Sequence, residues 1–307
     1  MNIFFKTGAA LCIVLCGCQT NAPPPIQNSA LLNDLRFLAS DSLDGRETGT
    51  PGNETARNYI RDRFKILGLK KFDNEYTDPF QFKDRKDLTI TRSGVNVAGY
   101  IEGVEQDSEY VIISAHFDHL GIKNGEIYNG ADDNASGTAA LLAAAQFFTE
   151  NRPNRTLVFA AFDAEEHGLQ GAKHFVQNLP MTKEKILLNI NMDMISRSSR
   201  NELYASGTYH YPHLKLHTEN AAENIVFKLI FGHDKPGTHR NDWTSSSDHG
   251  VFHKEKIPFI YFGVEDHEDY HKSTDVFNNI DPEFFQNVTN FIISFIKEVD
   301  SHLKLRD

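Results

Sequence analysis

Residues 157–171, LVFAAFDAEEHGLQG, change within a few positions from an apolar run to a cluster of acids. The apolar half predicts a strand buried on both faces of a sheet, and Asp163, Glu165 and Glu166 follow where that strand should end. Two adjacent carboxylates repel each other unless a positive group holds them or one of them is protonated. The stretch therefore predicts that another part of the chain brings a positive group to this strand end.

Three further segments have the pattern of buried strands: EYVIISA, ILLNIN and IPFIYFG. Segments with helical spacing lie between and after them, such as SGTAALLAAAQFFTE and PEFFQNVTNFIISFIKEV. Strands that alternate with helices predict a three-layer α/β/α sandwich with a central, mostly parallel mixed sheet. We expect a single domain over residues 30–305. DLTITR and GVNVAGYIEG are predicted to be neighbouring strands, and residues 76–91 and 196–215 to be the least regular parts.

Each predicted central strand is followed by acids or histidines. HFDH (116–119) follows the first, Asp193 follows the third, and DYH (269–271) closes the loop after the fourth, while NGADDNASG precedes a helix. Functional sites in such sheets form at the carboxyl ends of the strands, so these side chains should meet at one edge. Carboxylate oxygens and imidazole nitrogens without a thiolate suit zinc or manganese in a catalytic site.

The composition limits the other classes of function. The chain has 307 residues and a formal net charge of −11, which argues against a nucleic-acid-binding protein. No G-x-S-x-G, G-x-G-x-x-G or P-loop pattern occurs, which argues against a serine nucleophile elbow and a nucleotide cofactor.

The first residues have the features of an export signal. A short apolar stretch ends in LCGC at 15–18, and all three cysteines of the chain lie in this segment. We interpret residues 1–17 as a lipoprotein signal peptide, Cys18 as a lipidated anchor and residues 18–29 as a tether, with outer-membrane sorting favoured. Ordinary signal-peptide cleavage nearby is the alternative.

The blocks SAHFDHLG, NGADDNASGTAALL, FDAEEHGLQGA, NINMDM, SSSDHGVF and YHKSTDVFNNID resemble, in order, the motifs of the co-catalytic di-zinc aminopeptidases. The resemblance covers the whole predicted domain and implies peptide substrates and two zinc ions per chain. It also implies a cis peptide bond between Asp132 and Asp133. The roles that it implies are metal ligands at His116, Asp193, Glu166 and His271, a bridging ligand at Asp132, a general base at Glu165, an acceptor for His116 at Asp118, and a hydroxyl near the scissile carbonyl at Tyr270.

Several alternatives stay open at this stage. The same family includes glutamate carboxypeptidases and relatives of glutaminyl cyclases, and a peptidase fold can also serve as an inactive binding module. HEDYH (267–271) matches the single-zinc H-E-x-x-H pattern with Glu268 as base, but its surroundings predict a loop. Other residues have less certain roles: His119 and His167 as polar rim residues, Asp248 and His249 in the cleft or at a helix cap, Asp275 beside His271 or in a turn, and Arg240 near substrate.

Overall fold

The computed structural model describes residues 28–105 and 109–304. The predicted signal peptide and Cys18 therefore lie outside the described residues. The helices are α1 (Asn28–Leu38), α2 (Pro51–Leu67), α3 (Gly137–Glu150), α4 (Gln170–Gln177), α5 (Leu214–Ala221), α6 (His249–Lys254) and α7 (Pro282–His302). The strands are β1 (Thr77–Lys83), β2 (Thr91–Ile101), β3 (Tyr110–His116), β4 (Gly121–Lys123), β5 (Glu126–Tyr128), β6 (Thr156–Phe162), β7 (Ile186–Met192), β8 (Glu202–Ser206), β9 (Lys228–Phe231) and β10 (Phe259–Gly263).

Eight of the strands form one mixed sheet in the order β1-β2-β6-β3-β7-β10-β8-β9. Its centre is parallel, because β6, β3, β7 and β10 are neighbours that run in the same direction. Antiparallel pairs occur on both sides of this centre, between β1 and β2, β2 and β6, and β10 and β8. The predicted fold class, an α/β sandwich with a mixed, mostly parallel central sheet in one domain, is confirmed.

The central strands are buried on both faces because successive side chains point to opposite sides of the sheet. In β3, Val111 and Ile113 pack into the larger core, whereas Ile112 packs into the smaller one. The larger core contains side chains of α1, α2, α3, α5 and α7, and the smaller one contains side chains of α4 and α6. The helices thus form the two outer layers.

The helix termini follow from the local sequence. The side chain of Thr50 accepts a hydrogen bond from the backbone N–H of Asn53, and Pro51 occupies the first turn of α2, where its missing N–H costs nothing. The helix ends at Gly68, which has φ 74°, as the glycine in the sequence predicts. At α7, Asp281 accepts from the N–H groups of Glu283 and Phe284.

No helix within the described ranges is long and apolar enough to cross a membrane.

Two parts of the strand prediction are wrong. The segment DLTITR contributes only Thr91 and Arg92 to β2, and the neighbouring strand is β1 at Thr77–Lys83, inside a region predicted to be irregular. The other irregular region contains β8. Strand β1 lies at the edge of the sheet and contains Pro79, so its sequence lacks the continuous apolar run of a central strand.

Candidate active site

The carboxyl ends of β3, β6, β7 and β10 lie side by side, because these strands are parallel neighbours. His116 is the last residue of β3, and Asp193 directly follows β7. Glu165 and Glu166 lie in the turn after β6, and His271 lies in the loop after β10. These positions match the strand ends from which the sequence predicts a shared site.

Two groups of side chains that could hold a metal ion meet there, and Asp133 belongs to both. In the first group, Nε2 of His116 lies 3.4 Å from Oδ1 of Asp133 and 3.4 Å from Oδ1 of Asp193. The second consists of His119, Asp133 and Glu166. Nε2 of His271 lies beside it, 3.1 Å from Oδ2 of Asp133 and 3.5 Å from Oε1 of Glu166. One carboxylate therefore presents one oxygen to each group.

His119, which the sequence analysis places only at the rim, is thus a member of the second group. Nδ1 of His119 lies 2.9 Å from Oε1 of Glu166 and 3.8 Å from Oδ2 of Asp133. The ring is buried. The only signal in the sequence is its place in HFDH, three residues after His116.

The prediction that Asp132 bridges the two groups is wrong. Its Oδ1 accepts hydrogen bonds from the backbone N–H and the hydroxyl of Ser196, both at 2.7 Å, and its Oδ2 lies 3.0 Å from Nε2 of His267. Asp133 occupies the shared position instead, and the cis peptide bond joins Asp133 and Asn134 rather than Asp132 and Asp133. Adjacent side chains on this turning backbone point to different partners, and two aspartates in a row do not reveal which one faces the site.

Asp118 ties the two loops of the site together. Its Oδ1 accepts from the N–H of Glu165 at 3.0 Å, and its Oδ2 lies 3.3 Å from the N–H of Glu166. The carboxylate lies 3.7 Å from Nδ1 of His116, which is longer than a hydrogen bond, and the nearer acceptor is the backbone carbonyl of Asp118 at 3.2 Å. The expected orientation of His116 thus comes mainly from the backbone of Asp118.

The carboxylates and imidazoles of the site shift one another's pKa values. Burial alone would lower the pKa of His271, but Asp133 and Glu166 raise it to about 10. Burial and Asp133 would raise the pKa of Glu166, whereas His119 and His271 bring it down to about 2. Glu165 differs, because burial raises the pKa of its carboxyl well above the usual range despite the opposing charge of His116. The pKa values of the adjacent carboxyls of Glu165 and Glu166 are thus shifted in opposite directions.

Two buried charged groups, Arg46 and Asp275, hold the loops that carry the candidate ligands. The guanidinium of Arg46, with a pKa lowered by burial to about 10, donates to the backbone carbonyls of Phe117 at 2.8 Å and Gly130 at 3.0 Å, and also to those of Leu38 and Asn129. The alternative prediction that Asp275 orients His271 is not supported, because the two side chains form no hydrogen bond or ion pair within the described residues. Its carboxylate accepts from the N–H groups of Asp132 and Asp133, at 3.0 and 3.1 Å.

We expect Arg46→Lys to destabilise the protein by about 3 kcal/mol or more, because an ammonium lacks the planar fork that reaches several carbonyls at once. Urea unfolding of the metal-free protein measures the loss. Arg61→Lys is the matched control, since Arg61 pairs with its exposed neighbour Asp62, and it should change the stability by less than about 1 kcal/mol. An Arg46→Lys protein as stable as the wild type would contradict this role.

The structure also places the HEDYH segment and the side chains of His167, Asp248 and His249. HEDYH forms part of a loop, and His267 contacts Asp132, so the single-zinc helix is not present. The ring of His167 packs near Phe82. Asp248 precedes α6 but accepts no capping hydrogen bond from it. His249 is buried, with Nε2 2.8 Å from the carbonyl of Trp243.

A cleft of about 570 Å³ opens onto these groups. Tyr270 lines it beside His271, on which its ring stacks with centroids 4.0 Å apart. The apolar part of the lining comes from Met194, Trp243, Tyr261 and Val264. Arg85 and Lys173 also reach the cleft.

The chain is similar in sequence to proteins that are named as peptidases. The aminopeptidase YwaD of Bacillus subtilis is 27% identical over 252 residues, which cover 76% of this chain and 51% of that protein. The glutamate carboxypeptidase 2 homolog of Caenorhabditis briggsae is 41% identical over 107 residues, or 33% of this chain and 13% of that protein. The chain therefore spans only part of the length of these relatives.

Solved structures show the same fold. The zinc aminopeptidase BSAP from Bacillus subtilis superposes with a TM-score of 0.75 and 17% identity, covering 92% of this chain and 97% of that one. The aminopeptidase from Aneurinibacillus sp. strain AM-1 gives a TM-score of 0.74 at 16% identity, with the same coverage of both chains. The sequence model of peptidase family M28 matches residues 96–296, and the chain belongs to that family.

Proposed function

We propose that the chain is an exopeptidase that removes N-terminal residues from peptides, with two zinc ions as cofactors and Glu165 as general base. Other divalent metals could take the place of zinc. One observation carries the proposal: Asp133 presents one oxygen to each of two ligand groups in the cleft that Glu165 also lines. A shared carboxylate is how a protein holds two ions close enough to act on one substrate bond.

The chemistry of the donor atoms fits divalent cations. Oxygens and imidazole nitrogens converge without any thiolate, which suits a catalytic zinc site. Within the described residues, Oε1 of Glu166 and Oδ1 of Asp193 are buried and make no hydrogen bond. Buried polar atoms normally have partners, so these two are available to ligate an ion. When bound, the two ions would activate a water molecule and polarise the scissile carbonyl.

The residues of the chain supply the proton transfers. Glu165 takes a proton from the attacking water and delivers it to the leaving amine, while the water oxygen forms the new bond to the acyl carbon and the C–N bond breaks. Asp118 holds the backbone of Glu165 through the 3.0 Å hydrogen bond, so the base is fixed relative to Glu166. The hydroxyl of Tyr270 is proposed to donate to the substrate carbonyl.

A carboxypeptidase is the second candidate, because two cations line the cleft without a carboxylate partner in the described part of the chain. Arg85 is exposed there, and Lys173 donates to the carbonyl of Gly168 at 2.8 Å. Such cations could bind the terminal carboxylate of a substrate. We favour the aminopeptidase, since YwaD and BSAP carry that activity in their names and cover more of this chain than the carboxypeptidase homolog does.

A matched set of peptides separates the two activities. The same tripeptide is supplied unmodified, N-acetylated and C-amidated, and the products are identified by mass spectrometry. We expect release of the N-terminal residue from the unmodified and amidated peptides and no cleavage of the acetylated one. Release of the C-terminal residue from the acetylated peptide would establish the carboxypeptidase instead. Cleavage of none of the three by the zinc-loaded protein would refute both.

We also propose that the mature chain is anchored to a membrane by lipid on Cys18 and faces the periplasm or the cell surface. The LCGC stretch at 15–18 motivates this proposal. We expect mass spectrometry of the mature protein to find a lipid-modified N-terminal Cys18. Cys18→Ser should abolish the modification, whereas Cys16→Ser should retain it. An unmodified terminus at another residue would refute the anchor.

A further inference from the structure

We propose that His119 binds the second metal ion directly, as a fourth protein ligand beside Asp133, Glu166 and His271. This inference rests on the proposed two-ion centre and adds to it a ligand that the family resemblance does not supply. It also makes the two ion sites unequal. The first site has three protein ligands, His116, Asp133 and Asp193, whereas the second site has four.

The distances between the donor atoms support a shared ion. Both imidazoles approach the same two oxygens, Oδ2 of Asp133 and Oε1 of Glu166. The four nitrogen–oxygen distances are 2.9, 3.1, 3.5 and 3.8 Å. Ligands of a tetrahedral zinc ion with bonds of ~2.0–2.1 Å lie about 3.3 Å from one another, which is the middle of this range.

The burial of His119 points the same way. The side chain is 1% exposed, and neither ring nitrogen has a hydrogen-bond partner among the described residues. A buried polar atom without a partner destabilises the folded state, so a buried imidazole with neither nitrogen bonded is unfavourable unless a ligand satisfies it. An ion between Asp133 and Glu166 would satisfy Nδ1 of His119.

His119 is also held in place by contacts with Arg46 and with Gly130, which lies in the loop that carries Asp133. The backbone N–H of His119 donates to the carbonyl of Arg46 at 3.3 Å. A Cβ atom on Gly130 would lie 2.5 Å from Cγ of His119, so this position must be glycine for the ring to pack as it does. The imidazole is therefore preorganised against the backbone just before Asp133.

A hydrogen bond from His119 to Glu166 is the simpler role for this residue. Nδ1 of His119 and Oε1 of Glu166 are 2.9 Å apart, but they are not aligned as a hydrogen bond. Within the described residues, neither atom has a hydrogen-bond partner. Direct ligation explains the short distance and the missing alignment together. It also predicts that the second site binds its ion more tightly, because it offers four protein ligands and the first site offers three.

Zinc titration of the metal-free protein by calorimetry tests this assignment. We expect two binding steps in the wild type, and we expect His119→Gln to weaken the tighter step by more than about 100-fold, beyond the effect of losing an outer-shell partner. The weaker step should change by less than about threefold. His167→Gln is the matched control, because His167 lies nearby but packs near Phe82, and it should leave both steps unchanged.

Nuclear magnetic resonance of the wild type gives an independent readout. With ¹⁵N-labelled histidine and two equivalents of ¹¹³Cd²⁺, three histidines should show coupling to cadmium: His116, His119 and His271. Two coupled histidines, or an unchanged tight step in His119→Gln, would overturn the role of His119 while leaving the two-ion centre intact. A wild-type protein that binds only one ion would instead refute the proposed function itself.

Discussion

Glu165→Gln should keep both ions of the proposed metal centre and lose about 10²–10⁴-fold in kcat, the usual contribution of general acid–base catalysis. The amide has almost the same size but cannot accept the proton of the attacking water. Glu165 belongs to neither ligand group, and its position is fixed through its backbone N–H, which Asp118 binds. Metal stoichiometry and turnover of the same preparation measure the two effects separately.

Two comparison variants make this result specific. Glu166→Ala should lose metal together with activity, because Glu166 belongs to the second candidate ligand group. Glu268→Gln should retain metal and turnover, since the side chain of Glu268 is 84% exposed in the loop that contains HEDYH. Metal loss in folded Glu165→Gln, or turnover close to that of the wild type, would show that base and ligand are assigned wrongly.

The central strands and most of the candidate site could be predicted because both depend on the same pattern. Strands β3, β6, β7 and β10 are buried on both faces, so their sequences are largely apolar runs. Their parallel neighbours bring the residues after each run to one edge of the sheet. His116, Glu166, Asp193 and His271 follow from that pattern and from the motifs.

The edge strands and the framework of the site could not be predicted in this way. In β1, buried and exposed residues alternate from Pro79 to Lys83, and the strand pairs on one side only, so it lacks the apolar run of a central strand. The guanidinium of Arg46 donates to backbone carbonyls that are distant in sequence. Every residue has a backbone carbonyl, so the residue types do not show which ones Arg46 binds. The burial of His119 could not be predicted for a related reason, because the sequence around one histidine does not show whether its ring is buried.

The adjacent aspartates 132 and 133 have the same chemistry, and only their contacts distinguish them. Asp133→Asn should weaken metal binding at both sites by more than about 100-fold and abolish measurable turnover, because an amide cannot offer a negative oxygen to each ion. Asp133 is the residue that both ligand groups share. The variant should still fold, since its backbone N–H keeps the 3.1 Å hydrogen bond to Asp275.

Asp132→Asn is the matched substitution one position earlier, and it should bind both ions as the wild type does. Its expected effect is a loss of about 1–2 kcal/mol in stability, because an amide replaces a carboxylate that serves Ser196 on one oxygen and His267 on the other. Calorimetric zinc titration and urea unfolding of the two variants side by side decide the assignment. If Asp132→Asn loses the ions and Asp133→Asn keeps them, the bridging ligand is Asp132 after all.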